Sequence, residues 1–188
     1  TNYINYILLK QFLDEHIFRI EKLVGKFVEN IFLLIEDKNI LSIQIGIKQK
    51  NYNPSKSKAY LQSLVTNAKD LFKKNYPNEK IMHILINEYI VDGISYSFLK
   101  DNLQFEQLNL VIQFKSISDE MVYNLNKVLQ NYHITISQYL DENYIKNFFK
   151  EDIEISNMAY KILNGCNENE VIIVQKNPKK LGFFEKFF

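Results

Sequence analysis

Apolar residues recur along the opening stretch "YINYILLKQFLDEHIFRIEKLVGKF" at steps of three to five. Ile4, Ile7, Leu8, Phe12, Ile17, Ile20 and Val24 fall into a helical stripe, with Asp14, Glu15, Arg19 and Lys22 between them. Gly25 is placed to stop that helix. The pattern then changes period. "NIFLLIED" and "ILSIQIGIKQ" read as strands, the second alternating Ile43, Ile45 and Ile47 with Ser42, Gln44 and Gly46. Helical spacing returns over residues 55–76, entered at Pro54 and Ser55 and closed by Pro77. Its stripe is Tyr60, Leu61, Leu64, Val65, Ala68, Leu71 and Phe72.

"KIMHILINEYIVDG" is a long apolar run ending in an Asp-Gly turn signal, and "QLNLVIQF" alternates as a strand after an irregular connection. Strands 81–91 and 108–114 are expected side by side, with Leu85 and Val111 inside and helices 55–76 and 119–131 packed on them. Ser118 followed by Asp119 and Glu120 opens the second of these helices with acids at its positive end. Met121, Leu125, Val128 and Leu129 form its stripe, and "HITISQYL" is a further strand. "YIKNFFKEDIEISNMAYKILNG" reads as one broken helix or two, stopped at Gly165, and "EVIIVQK" as a short strand. This order predicts an α+β fold, a small sheet with helices packed on one face, followed by an amphipathic C-terminal segment.

Composition narrows the picture. At 188 residues, 46% hydrophobic, the chain is long enough to bury a core. A net charge of +1 argues against a broad nucleic-acid footprint, so no nucleic-acid partner is expected. A single cysteine, Cys166, allows no intrachain disulfide and fits a reducing compartment. No run approaches the roughly 20 apolar residues of a spanning helix, and the start lacks a signal-peptide pattern. Thr1 rather than a methionine opens the chain, as a fragment or a processed protein would.

Enzyme signatures are sparse. The five glycines are scattered, and neither G-x-x-x-x-G-K nor G-x-G-x-x-G occurs. His16, His83 and His133 lack partners at metal-ligand spacing, so no metal site is expected. Cys166 has no helix N-terminus or base beside it and reads as a partly buried, unreactive thiol. One alternative of another class is a small α+β enzyme with a site near His83, Glu88 and Asp92; a hydrogen-bonded core histidine is the plainer reading of His83.

The ending "KKLGFFEKFF" stands apart. On a helix Leu181, Phe184 and Phe188 share a stripe, with Phe183 and Phe187 beside it and Lys179, Lys180, Glu185 and Lys186 on its flanks. A core, a partner groove or a membrane has to cover those rings. Interfacial insertion plus attraction to anionic lipid, about 1 kcal/mol per basic residue near the surface, would make a weak reversible anchor.

The run "KIMHILINEYIVDGI", then "LNLVIQF", then "SDEMVYNLNKVLQNYHITISQYL" resembles the bacterial cell-division protein FtsA family. Tyr89, Val91, Asp92 and Gly93 stand on the family's Y-x-hydrophobic-D-G positions. The resemblance covers about residues 4–140. It implies the small strand-helix-strand-strand domain inserted in an actin-like fold over residues 1–140, with residues 141–178 as a remnant of an actin-like lobe. Residues 179–188 would then be the family's membrane-targeting helix, and lipid the cover for the phenylalanines. Ile86 or Asn87 replaces the family's proline, and its P-x-G-M-x-G connection is absent.

The family binds ATP, but its phosphate loops are not found in this sequence, so no cofactor is expected. By this resemblance the protein would be a non-enzymatic septum protein that helps anchor FtsZ filaments and recruits later division proteins. It would act peripherally on the cytoplasmic face of the inner membrane, with self-association possible. An actin-like pilus-assembly protein is the neighbouring alternative.

Overall fold

The computed structural model describes residues 4–50, 57–99, 105–149 and 154–171, without side-chain detail at 49–50 and 57–59. Helix α1 spans Tyr6–Val24. The side chain of Asn5 caps it by accepting from the backbone N–H groups of Ile7 and Leu8, each at 3.1 Å. Gly25 ends it at φ +75°, a left-handed position that costs glycine little, and its N–H bonds the Glu21 carbonyl. The face α1 buries differs from the one its periodicity suggests. Leu9, Leu13 and Ile17 point inward, whereas Ile7, Leu8, Phe12 and Val24 are exposed. A helix with apolar residues around most of its circumference does not itself specify which side is covered.

Strand β1 (Asn30–Ile35) leads through a turn, in which the Asp37 carboxylate accepts from the Asn39 N–H, into β2 (Leu41–Lys50). Helix α2 (Ser57–Asn75) buries Leu64, Val65, Ala68 and Phe72. Leu71, expected in that stripe, is 43% exposed, and the expected entry at Pro54 and Ser55 lies outside the described residues. Strand β3 (Glu79–Val91) turns at Asp92 and Gly93 into β4 (Ile94–Tyr96), a short hairpin arm within the stretch expected to be irregular. Both turn residues have positive φ, +47° and +86°, as a type I′ hairpin requires.

Strand β5 (Gln107–Ser118) alternates between buried and half-buried residues from Gln107 to Ser116. Leu108, Leu110, Ile112 and Phe114 are buried, and Val111, expected inside, stands half-buried on the opposite face between Asn109 and Gln113. Helix α3 (Asp119–Gln130) is capped by Ser118 Oγ, which accepts from the Met121 N–H. Strand β6 (Thr135–Asp141), helix α4 (Glu142–Phe148) and helix α5 (Ile155–Leu163) complete the element order.

The fold is α+β as expected, and its finer arrangement is richer than one small sheet. The larger sheet runs β2-β5-β3-β4, antiparallel throughout. Strands β1 and β6 form a separate parallel pair from Asn30↔Thr135 to Ile35↔Asp141. The main core lies between α2 and the larger sheet, where Phe72 and Phe114 stack with ring centres 4.9 Å apart. Leu85, its side chain directed oppositely to those of Ile84 and Ile86, meets Leu140, Ile145, Met158 and Ile162 from β6, α4 and α5. Helices α1 and α3 close on β1 and β6 through Leu13, Ile31, Leu129 and Ile134.

Residues 169–171 return to β3 beside β4. The Val171 N–H bonds the Ile84 carbonyl, the Ile86 N–H bonds the Asn169 carbonyl, each at 2.8 Å, and Glu170 bridges Leu85. The start of the expected strand "EVIIVQK" thus pairs with β3, and residues 172 onward lie outside the described residues.

Candidate functional site

The four hairpin residues are brought together at one end of the larger sheet. Tyr89 and Val91 are buried against the α2 side of β3, and the Tyr89 hydroxyl lies 3.4 Å from Asn169 Oδ1. Burial raises the Tyr89 pKa. The Asp92 carboxylate accepts from the Gln107 N–H at 2.8 Å and the Glu106 N–H at 3.2 Å, while Gly93 supplies the positive φ. These side chains build the hairpin and lock it to the start of β5.

His83 is buried on β3, hydrogen-bonded at both ring nitrogens. Nε2 accepts from the Asp141 N–H at 2.9 Å, which leaves the ring proton on Nδ1, donated to Glu170 Oε1 at 2.7 Å. The Tyr144 hydroxyl donates to Glu170 Oε2 at 2.8 Å and accepts from Asn167 Nδ2 at 2.7 Å. Burial, followed by the neighbouring Glu170 charge, holds the Tyr144 hydroxyl far above its ordinary range. Lys115 Nζ reaches the buried Asp141 carboxylate at 2.6 Å, and Asp141 also caps α4 by accepting from the Asn143 N–H. One polar junction therefore ties β3, β5, the end of β6, α4 and residues 167–171.

His83, Glu88 and Asp92 are not brought together. They lie at successive points along β3 and its turn, where Glu88 accepts from the Ser95 hydroxyl and Asp92 is engaged with the backbone of residues 106 and 107. With both nitrogens of His83 occupied, its geometry is that of a positioning group inside the fold. Cys166 is exposed rather than partly buried, and desolvation raises its thiol pKa. Among the described residues no group of His, Cys, Asp or Glu is arranged to hold a metal ion, and no helix is long and apolar enough to cross a membrane. Lys179, Lys180, Leu181, Phe183, Phe184, Lys186, Phe187 and Phe188 lie outside the described residues.

The sequence reading missed the surface around α1. Phe18 and Phe27 are each 78% exposed and Leu23 79%, and Ile7, Leu8, Phe12 and Val24 are each more than half exposed. Phe18, Val24, Phe27 and Val28, with Lys22, Lys26 and Glu29, line an open groove of about 1020 Å³ where α1 gives way to β1. Isolated exposed apolar residues are ordinary; so many on one helix and the turn after it are not. The signal in the sequence was an excess: α1 carries more large apolar residues than a single buried stripe can use.

Compared with protein-family models and with curated protein sequences, the chain has no match.

Proposed function

We propose that the protein is an assembly module of the FtsA type, which helps tether FtsZ filaments to the membrane and recruits later division proteins by protein and lipid contacts. The observation that carries this reading is the apolar surface of α1 and the adjoining groove, which offers contact area. Two further features agree with it. The run β2, α2, β3, β4, β5 contains the strand-helix-strand-strand order implied by the resemblance, with the short β4 inserted before β5, and Tyr89, Val91, Asp92 and Gly93 occupy one hairpin. The terminal segment 179–188 supplies the lipid contact in this reading.

Co-sedimentation tests it directly. The purified chain should pellet with polymerised FtsZ and, separately, with vesicles rich in anionic lipid, the second falling as salt screens the lysines. A chain that stays in the supernatant in both assays sinks the proposal.

A further inference from the structure

The two flanks of α1 are not alike. At about 100° per residue, Lys10 and Asp14 lie on one side of the buried Leu9–Leu13–Ile17 stripe. There Tyr132 donates its hydroxyl to Asp14 Oδ1 at 2.6 Å, at the end of α3. Leu8, Phe12, Arg19 and Leu23 lie on the opposite flank, within about 60° of one another, and all four are exposed. Helix α3 packs on the β6 side of the parallel pair, so this apolar flank overhangs β1. The outer edge of β1 carries no strand among the described residues, its only ladder being with β6. A two-stranded parallel sheet with an open edge and a half-covered helix is an incomplete layer.

We infer that a second copy of this chain covers that flank, forming a two-fold dimer in which α1 packs antiparallel on α1 and β1 pairs antiparallel with β1. The spacing on the flank selects a second copy over an unrelated partner. A two-fold axis between Glu15 and His16 sets Leu8 against the second copy's Leu23. It sets Phe12 against the second copy's Arg19, a cation–π pairing, and Glu15 against the second copy's His16. Leucine thereby meets leucine, and the aromatic ring and the carboxylate each meet a basic side chain.

The contact draws on Leu8, Phe12 and Leu23, which are 59%, 51% and 79% exposed, on the exposed Arg19, and on the open edge of β1. Phe32, 52% exposed, points to the other face of β1 and takes no part.

This inference rests on the assembly reading only in taking α1 as a docking face. Sedimentation velocity on the full chain, from micromolar to about 100 μM, is the test, run beside the FtsZ and vesicle assays. The parent should sediment as a dimer. Phe12→Asp and Leu23→Asp should each weaken dimerisation about tenfold or more. Their helical circular dichroism should match the parent, because both side chains are exposed, and their melting temperatures should match that of the parent diluted until it dissociates. Arg19→Glu should weaken it through the lost pairing with Phe12. A parent that is monomeric at 100 μM overturns the dimer, and if it still pellets with FtsZ the assembly reading stands. A dimer that survives both aspartate variants overturns this interface. A monomer that binds vesicles, and loses them on Phe12→Asp, overturns it in favour of a lipid-facing α1. A dimer disrupted by these variants that binds neither FtsZ nor vesicles supports the interface while the assembly reading fails.

Discussion

Replacing His83 with leucine keeps most of the ring's volume and removes both of its hydrogen bonds. The Asp141 N–H, in a residue only 1% exposed, would lose its acceptor. An orphaned buried donor costs about 1–3 kcal/mol. Glu170 Oε1 would lose a donor to a carboxylate, about 1.5–3 kcal/mol, while Oε2 keeps Tyr144. The expected loss is about 4 kcal/mol, a large share of the roughly 5–15 kcal/mol by which a domain is stable.

For a chain of this length that amounts to a fall in melting temperature of about 8–16 °C, at about 2–4 °C per kcal/mol. Differential scanning calorimetry at neutral pH measures it, with Glu170→Gln as the control, since the amide oxygen can still accept from Nδ1–H. The glutamine variant should lose markedly less than the leucine variant. If His83→Leu melts within about 2 °C of the parent, the junction contributes nothing to stability and the account of β3, α4 and residues 167–171 as one unit is wrong.

Phe72→Ala should cost about 3–5 kcal/mol in urea unfolding, because the ring is fully buried and stacked on Phe114; a loss under about 1 kcal/mol would contradict that packing. Burial raises the folded-state pKa of Tyr144 above its unfolded value of about 10. The stability this hydroxyl contributes is therefore complete below pH 10 and lost as pH rises further. Tyr144→Phe should flatten the decline between about pH 10 and 12, and an unchanged slope would refute the buried-hydroxyl argument. In the terminal segment, Phe184→Glu should abolish pelleting with anionic vesicles and leave the melting temperature unmoved; a lower melting temperature with no vesicle binding by the parent would point to a packed terminal helix instead.

Local chemistry was legible in the sequence. Ser118 before two acids, Gly25 after the first helix and Asp92-Gly93 between apolar runs each act within a few residues, and each does in the structure what its side chain or backbone dictates. The alternation of β5 was equally plain, although it did not show that Val111 sits on the half-exposed face. Contacts between distant segments were not legible. The pairing of Asn30 with Thr135 joins segments about a hundred residues apart, so no local pattern separates one sheet from two. His83 finds its carboxylate in Glu170, 87 positions later, which is why neighbours along the strand such as Glu88 and Asp92 looked like its candidates. The face of α1 could not be chosen from its own residues because so many of them are apolar.

The return of residues 169–171 to β3 has a mechanical consequence. Any pull exerted on the chain beyond Val171 enters the fold at the Ile84 carbonyl and the Ile86 N–H, and through Glu170 at His83 and Tyr144. Strand β3 is bonded to β5 along nearly its whole length, and β5 in turn to β2. Tension from the terminal segment therefore passes into the middle of the larger sheet, where it is shared across two long ladders, rather than into a frayed end. A tether attached there can carry load without first unravelling a helix.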